Sequence, residues 1–229
     1  MNKVPISEIF SSIQGEGIFV GVPQIFVRFS GCNLGKCAFC DEPAHRKSDL
    51  GICEIITLIK QLSKKTRPHS VSLTGGEPLL YPQFLKTLSK ELKEKGFLIY
   101  LETNGTLPEN LSFVKKYTDF IAMDIKLPSS TGLRSYFIKH KKFLKIASNK
   151  KVFVKVVVTK KTNFSCFKKA VGLVKAINRE MPFVIQPATK VGRVKVPDKE
   201  KILLFQSYAL KFLKDTRIIP QMHKKLGVK

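Results

Sequence analysis

The chain has 229 residues, of which 43% are hydrophobic and 25% are charged. That length suits one well-packed domain and excludes two of similar size, and no apolar run approaches the roughly 20 residues that cross a bilayer. No apolar leader precedes the first patterned segment, so we expect a cytoplasmic, reducing setting. The formal net charge of +24 comes from lysines spread along the chain, which indicates a basic surface and leaves open a polyanionic or acidic partner.

Strand-like and helix-like segments alternate along the chain. Apolar runs predict strands at 25–29, 71–73, 98–101, 120–123, 152–158 and 183–185, with a last short strand at 217–219. Apolar residues at helical spacing predict helices at 54–65, 81–95, 108–117, about 163–177 and 198–214. This alternation predicts an α/β fold in one domain spanning 1–229, most simply a partial, TIM-like barrel of about six parallel strands.

Polar residues follow one predicted strand after another. The first strand leads into the cysteines, and later strands end at Gly75-Gly76-Glu77-Pro78, Glu102-Thr103-Asn104-Gly105, Asp124-Ile125-Lys126 and Gln186-Pro187. The carboxyl ends of parallel strands meet at one edge of the sheet, where such folds build their active sites. We therefore expect these segments to face one opening.

Three of the five cysteines, Cys32, Cys37 and Cys40, fall within nine residues. Thiolates select iron–sulfur clusters, zinc or cuprous copper. A structural zinc site is usually closed by four protein ligands, and no fourth is nearby in the sequence. A 4Fe–4S cluster held by three cysteines has one iron left to bind a cofactor or substrate, so the loop favours that cluster.

Other polar residues have local interpretations. Arg28 interrupts an apolar strand, so it either faces water or meets an anion inside the protein. Glycines on both sides of Glu16 indicate either backbone held close to a ligand or an ordinary turn. Cys53 and Cys166 lie on predicted helices and are predicted to be buried thiols. The remaining histidines outside the tail are predicted to lie at the surface; they are His45, His69 and His140.

The cysteine loop and the Gly75-Gly76-Glu77-Pro78 segment together resemble those of the radical S-adenosylmethionine (radical SAM) enzymes. Four residues lie between the first two cysteines in this chain, rather than the usual three. The resemblance implies a 4Fe–4S cluster on Cys32, Cys37 and Cys40, with S-adenosylmethionine on the fourth iron. The cofactor contacts that it implies are Phe39, Gly75, Gly76, Glu77, Glu102, Asn104, Asp124, Lys126 and Gln186.

A narrower resemblance, to the 7-carboxy-7-deazaguanine synthase family, runs from Glu8-Ile9-Phe10 to Gln221-Met222-His223-Lys224. It implies radical ring contraction of 6-carboxy-5,6,7,8-tetrahydropterin to 7-carboxy-7-deazaguanine with loss of ammonia, in the biosynthesis of queuosine or archaeosine. It also implies a cluster loop at 31–41 and a substrate-site tail at 217–229. The implied substrate contacts are Gln14, Gly15, Glu16, Gly17, Arg28, Thr74, His223 and Lys229.

The same resemblance implies a Mg²⁺ ion beside the substrate carboxylate. Family members commonly have Cys-Asp-Thr where this chain has Cys40-Asp41-Glu42, so Glu42 is a candidate ligand through its hard carboxylate oxygens. The partners implied are the pterin, an electron donor such as flavodoxin and a second copy in a homodimer, with no membrane and no required nucleic acid. Two alternatives stay open: a glycyl-radical-enzyme activase, and a non-catalytic, basic, metal-containing RNA-binding module.

Overall fold

The computed structural model describes residues 3–40 and 48–228, and in these ranges nine strands form one sheet. In chain order, β1 to β9 are Val4–Ile13, Pro23–Phe29, Ser48–Leu50, Ser70–Gly75, Ile99–Thr103, Phe120–Asp124, Lys151–Val158, Phe183–Pro187 and Thr216–Ile218. Their spatial order is β3-β1-β2-β4-β5-β6-β7-β8-β9. From β2 onward along this order every pair is parallel, whereas β1 is antiparallel to both β2 and β3.

Helices cover the outer face of the sheet. In chain order, α1 to α8 are Ile52–Thr66, Pro82–Glu94, Pro108–Val114, Pro128–Thr131, Phe137–Ala147, Phe164–Lys175, Lys199–Leu210 and Met222–Leu226. Three short 3₁₀ turns occur at Gly17–Phe19, Pro78–Leu80 and Lys115–Tyr117. Buried aliphatic and aromatic side chains from the outward-facing strand positions and from these helices form the main hydrophobic core.

The inner face of the sheet is built from the alternate strand positions, because successive side chains in a strand point to opposite faces. In β7, Val154 and Val156 belong to the outer core, whereas Phe153 belongs to a small inner cluster with Tyr100 and Phe120. The same alternation puts Lys155 on the inner face. The inner face is therefore apolar near the amino ends of the strands and polar near their carboxyl ends.

The 3₁₀ turn at Gly17–Phe19 fills the narrow end of this interior. The ring of Phe19 lies 4.8 Å from Phe120, 5.5 Å from Tyr100 and 6.5 Å from Phe153, measured between ring centroids. One side chain therefore packs against three adjacent strands, β5, β6 and β7. The fold is thus an open, partial barrel plugged from inside.

The structure confirms the predicted fold class and all of the predicted strands. Seven strands are parallel, against the expected six or so. β1 and β3 were not predicted, and the region expected to be a partly helical crossover contains the regular helix α5. Within the residues described, no helix is both long and apolar enough to cross a membrane.

Candidate active site

A cavity of about 240 Å³ lies at the carboxyl ends of the parallel strands. It is lined by every described residue predicted to belong to the site except Glu77, namely Gln14, Gly15, Glu16, Gly17, Arg28, Cys32, Cys37, Phe39, Cys40, Thr74, Gly75, Gly76, Glu102, Asn104, Asp124, Lys126, Gln186 and His223. Glu42 and Lys229, also predicted, lie outside the described residues. The structure brings the predicted segments together, while the role of each side chain toward a ligand stays a prediction.

The cysteine loop is held in place by the end of β4. The Gly76 amide donates to the carbonyl of Phe29 at 3.0 Å, and the Glu77 amide donates to the carbonyl of Gly31 at 2.8 Å. A Cβ on residue 76 would collide with that Gly31 carbonyl, so the close approach requires glycine. Gly75 has φ of +123° and lies equally close to the backbone of Phe29.

The donor set of this loop fits a 4Fe–4S cluster. Cys32, Cys37 and Cys40 all line the cavity, and the side-chain amide of Asn104 lies 3.8 Å from the sulfur of Cys32. In the described ranges no three Cys, His, Asp or Glu side chains converge closely enough for a single metal ion. A four-iron cluster places each cysteine on a separate iron, so it suits three sulfurs spaced around one opening.

Burial makes two of the three thiols, Cys32 and Cys37, harder to deprotonate. It raises the pKa of Cys37 to about 11, although the nearby Lys126 acts in the opposite direction. Burial also raises the pKa of Cys32. Since a thiolate is the ligand, cluster assembly has to release these protons, and assembly is favoured by higher pH.

Two lysines and two carboxylates form a charged group beside the loop. Lys126 pairs with Asp124 at 2.8 Å and lies 5.4 Å above the ring centre of Phe39. Lys155 forms a close ion pair with Glu16 and lies 3.7 Å from the same oxygen of Asp124. Burial acts to lower the pKa of each lysine, but the adjacent carboxylates outweigh it, so both remain cationic.

The carboxylate of Glu16 is ionised at neutral pH because its ion pair with Lys155 outweighs its burial. Burial acts to raise its pKa, but Lys155 and a hydrogen bond from Gln221 outweigh that effect and lower the pKa to about 2. The Gln221 side-chain amide donates to Oε1 of Glu16 at 2.6 Å. Glu16 therefore presents a fixed negative charge inside the barrel.

Glu102 forms the polar floor of the cavity. Its Oε1 accepts from Gln14 at 2.8 Å and from Ser72 at 3.1 Å, and its Oε2 accepts from Thr74 at 2.9 Å. Gln14 also donates to Gln24 at 3.0 Å. These hydrogen bonds tie β4, β5 and the segment before the interior plug to one carboxylate.

The C-terminal tail closes one side of the site. The Met222 amide donates to the carbonyl of Gly15 at 2.8 Å, and Thr189 donates to Gln221 at 2.6 Å. The ring of His223 lies so close to Gly15 that a Cβ on that residue would collide with it. The tail and the Gly15–Gly17 segment therefore support each other, which explains why residue 15 is glycine.

Glu77 was predicted as a cofactor contact, and the structure places it elsewhere. Its side chain is fully buried, and it accepts hydrogen bonds from the amides of Leu79 at 3.1 Å and Asn104 at 2.7 Å and from the Thr103 hydroxyl at 2.8 Å. Burial raises its pKa to about 7 even though these donors favour the carboxylate. Glu77 joins the ends of β4 and β5 beneath the cavity.

Two predictions of burial, for Cys53 and Cys166, and one of exposure, for His140, were wrong, and the predicted surface position of His69 is only partly right. Cys53 is exposed and Cys166 is half-buried, because both lie on the outer sides of their helices. His140 is fully buried, and its Nε2 lies 3.1 Å from the carbonyl of Asn104. Among the described residues its Nδ1 has no hydrogen-bond partner, and burial lowers its pKa to about 4. His69 is half-buried against Phe19 and Phe120.

Sequence reasoning did not select Lys155 or Gln221. A signal for Lys155 was present, because it is the one charge inside the apolar run 152–158, as Arg28 is inside its own strand. Arg28 pairs with Glu8 of β1 at 3.0 Å and lines the cavity. A charge within an otherwise apolar strand thus marks an inward position in both cases.

Comparison with known proteins shows which superfamily this chain belongs to. A family model described as the radical SAM superfamily matches residues 26–173. That range includes the end of β2, the cysteine loop and the parallel strands β4 to β7, and it covers more than half of the chain. The chain therefore belongs to the radical SAM superfamily, whose members hold a 4Fe–4S cluster and S-adenosylmethionine.

Full-length relatives define the family more narrowly. A 7-carboxy-7-deazaguanine synthase from Archaeoglobus fulgidus is 39% identical over 99% of this chain and 100% of the relative. Another, from Geobacter sulfurreducens, is 34% identical over 97% of this chain and 96% of the relative. The chain belongs to the 7-carboxy-7-deazaguanine synthase family. The crystal structure of QueE from Escherichia coli, at 20% identity, TM-score 0.63 and coverage of 96% and 95%, shares its fold.

We predict that His140 makes the folded protein sensitive to mild acid. Below pH 6.5 the unfolded chain takes up a proton on this residue, whereas the folded protein resists it until about pH 4. The contribution of His140 to stability therefore falls as the pH decreases through this window, by about 1 kcal/mol between pH 7 and pH 5.5. Glu77, whose pKa burial raises to about 7, acts in the opposite direction, so the effect of His140 is the difference between the wild type and the His140 variant. Denaturant unfolding of the wild type and His140→Gln at both pH values measures this. The prediction would be contradicted if His140→Gln and the wild type showed the same change in unfolding free energy between the two pH values. His69→Gln is the control, and its unfolding free energy is expected to change with pH as that of the wild type does.

We also predict that Lys155→Met destabilises the protein by about 2–4 kcal/mol, since it leaves the Glu16 carboxylate mostly buried without its cation. The second substitution Glu16→Gln, made in the Lys155→Met background, is expected to recover most of that loss. Denaturant unfolding of the two single variants and the double variant gives the coupling energy. Additive losses would show that the ion pair does not stabilise the fold.

Proposed function

We propose that this chain catalyses the conversion of 6-carboxy-5,6,7,8-tetrahydropterin to 7-carboxy-7-deazaguanine. The observation that carries the proposal is the 39% and 34% identity, over nearly the whole chain, to relatives named for that product. The cavity supports it by gathering the Gln14–Gly17 segment, the cysteine loop and His223 around one space. Neither a glycyl-radical-enzyme activase nor an RNA-binding module accounts for that combination.

The chain's own contribution is to bind, position and shield. When bound, the 4Fe–4S cluster and S-adenosylmethionine supply the radical that removes hydrogen from C6 of the substrate. Gly75 and Gly76 expose backbone beside the cysteine loop, while Asn104 and Lys126 bring polar side chains to the same place. The ring of Phe19 packs against Tyr100 and Phe120 at the far end of the barrel and fills that end with apolar side chains.

The charges in the cavity match the two ends of the pterin. Arg28 and His223 both line the cavity, and we assign them as the donors to the substrate carboxylate, since a guanidinium carries a fork of N–H groups suited to it. The aminopyrimidine edge of the pterin carries N–H donors and needs acceptors. Glu16 is held ionised, and a carboxylate has about four lone-pair positions, so it retains capacity after bonding to Lys155 and Gln221.

Further features of the proposal rest on the sequence. Glu42 remains the proposed Mg²⁺ ligand and Lys229 a proposed substrate contact, both outside the described residues. The homodimer, the flavodoxin-type donor and the cytoplasmic setting also remain predictions. An oxygen-sensitive cluster is consistent with a reducing compartment.

We predict that His223→Ala weakens pterin binding about 10-fold or more while changing the affinity for S-adenosylmethionine less than about two-fold. The loss of one charge-assisted hydrogen bond to the substrate accounts for that factor. Isothermal titration of each ligand to the anaerobic holoenzyme measures both affinities. Lys225→Ala, two residues along the same exposed turn, is the matched control. Equal losses for the two ligands would contradict the assignment of His223 to the substrate.

The function is tested by anaerobic reconstitution with iron and sulfide, followed by reduction in the presence of S-adenosylmethionine and the pterin. Mass spectrometry is expected to detect 7-carboxy-7-deazaguanine, and Cys32→Ala, Cys37→Ala and Cys40→Ala are each expected to lose cluster and turnover together. Cleavage of S-adenosylmethionine with the pterin untouched would reject the substrate. One zinc without acid-labile sulfide would favour the RNA-binding alternative.

A further inference from the structure

Basic residues occur along the whole chain, but acidic residues are missing from one part of it. Residues 125–179 contain 15 Lys and Arg and no Asp or Glu, whereas the remainder contains 26 basic and 17 acidic residues. A general bias toward lysine would raise the basic count everywhere, but it would not remove every carboxylate from 55 consecutive residues. The imbalance is therefore a local property of this segment.

Seven of these 15 basic residues lie on the adjacent helices α5 and α6, whereas Lys126 and Lys155 line the active-site cavity. Between these helices lies a shallow, largely apolar groove whose floor includes Phe137, Ile138 and Leu173 and whose charged lining residues are Lys141 and Lys169. Ile138 is 79% exposed, the largest exposure among the large hydrophobic residues described. An apolar floor with a charged rim matches the anatomy of a protein-binding surface.

This groove connects to the cysteine loop through packed side chains. The ring of Phe137 lies 6.3 Å from that of His140, measured between centroids, and His140 Nε2 lies 3.1 Å from the carbonyl of Asn104. The side-chain amide of Asn104 then lies 3.8 Å from the sulfur of Cys32. A second link is the amide of Ala38 in the cysteine loop, which donates to the carbonyl of Thr131 in α4 at 2.9 Å.

We propose that the α5–α6 groove docks an acidic electron-carrier protein that reduces the cluster. In that step the carrier loses one electron and the cluster gains one, and no bond forms or breaks. Charge complementarity selects the partner, because a face without carboxylates attracts an acidic protein and repels a second copy of itself. The apolar floor distinguishes a protein from a nucleic acid, which would bind through phosphates. The inference rests on the cluster assignment and not on the identity of the pterin.

The test measures cluster reduction alone, with no substrate present. Reduced flavodoxin, an acidic one-electron carrier, is mixed anaerobically with reconstituted holoenzyme, and the absorbance loss of the cluster is followed by stopped flow. The variant is Lys141→Glu/Lys169→Glu. Its matched control is Lys60→Glu/Lys64→Glu on α1, which changes the net charge equally on another exposed helix.

The groove variant is expected to react with flavodoxin about 10-fold more slowly than the control variant at low salt, with the difference shrinking as salt rises. Reduction by dithionite is expected to be the same in both, which shows that the cluster itself is intact. Ile138→Ser, which keeps the charge, is expected to slow the flavodoxin reaction at high salt as well.

Equal slowing of the two charge variants would overturn the proposal, since only net charge would then matter. Unchanged flavodoxin rates with loss of tRNA binding in the groove variant would overturn it in favour of a nucleic-acid surface. Unchanged rates with dissociation of a dimer by Ile138→Ser, seen by sedimentation, would assign the groove to self-association. No pterin is present in this experiment, so each outcome can be interpreted even if the protein does not act on the proposed substrate.

Discussion

The end of β4 lies so close to the start of the cysteine loop that only glycine fits at residue 76. Backbone hydrogen bonds from Gly76 and Glu77 to Phe29 and Gly31 fix that contact. They set the position of the loop relative to the sheet before any metal is bound. The buried carboxylate of Glu77 then extends the same constraint to β5, because it bonds to the amide of Asn104. The loop, β4 and β5 thus form one rigid unit around which the cofactor contacts are arranged.

The inner face of the sheet has an apolar end and a charged end, and this division determines the rest of the site. Aromatic side chains and the plug of Phe19 occupy the narrow end, and charges occupy the open end. Six of the charged side chains at that depth form ion pairs, namely Lys155 with Glu16, Lys126 with Asp124 and Arg28 with Glu8, while Glu102 is held by neutral hydrogen-bond donors. Burying any one of these without its partner would cost several kcal/mol. The pairs therefore form a preorganised polar lining that does not have to rearrange when an anionic substrate enters.

Much of this arrangement could be predicted from the sequence, because parallel strands buried on both faces are continuous apolar runs whose polar residues fall at their ends. β1 escaped prediction since Ser7, Glu8, Ser11 and Ser12 interrupt its apolar residues, and its strand conformation depends on pairing with β2. His140 was misjudged because its neighbours in sequence are lysines, while its burial is decided by Asn104, 36 residues away. Lys155 was seen as an interruption of a strand, but its partner Glu16 could not be identified without the fold.

The hydrogen bond between Gln221 and Glu16 joins residues 205 positions apart. Contacts of such wide sequence separation carry a large loop-closure cost and form after local structure. During synthesis on the ribosome, the cysteine loop and β4 emerge and pack long before the tail exists. Residues 221–223 are among the last to be made, so the side of the pocket formed at Gly15 and Glu16 is completed only after the cysteine loop and β4 have been synthesised.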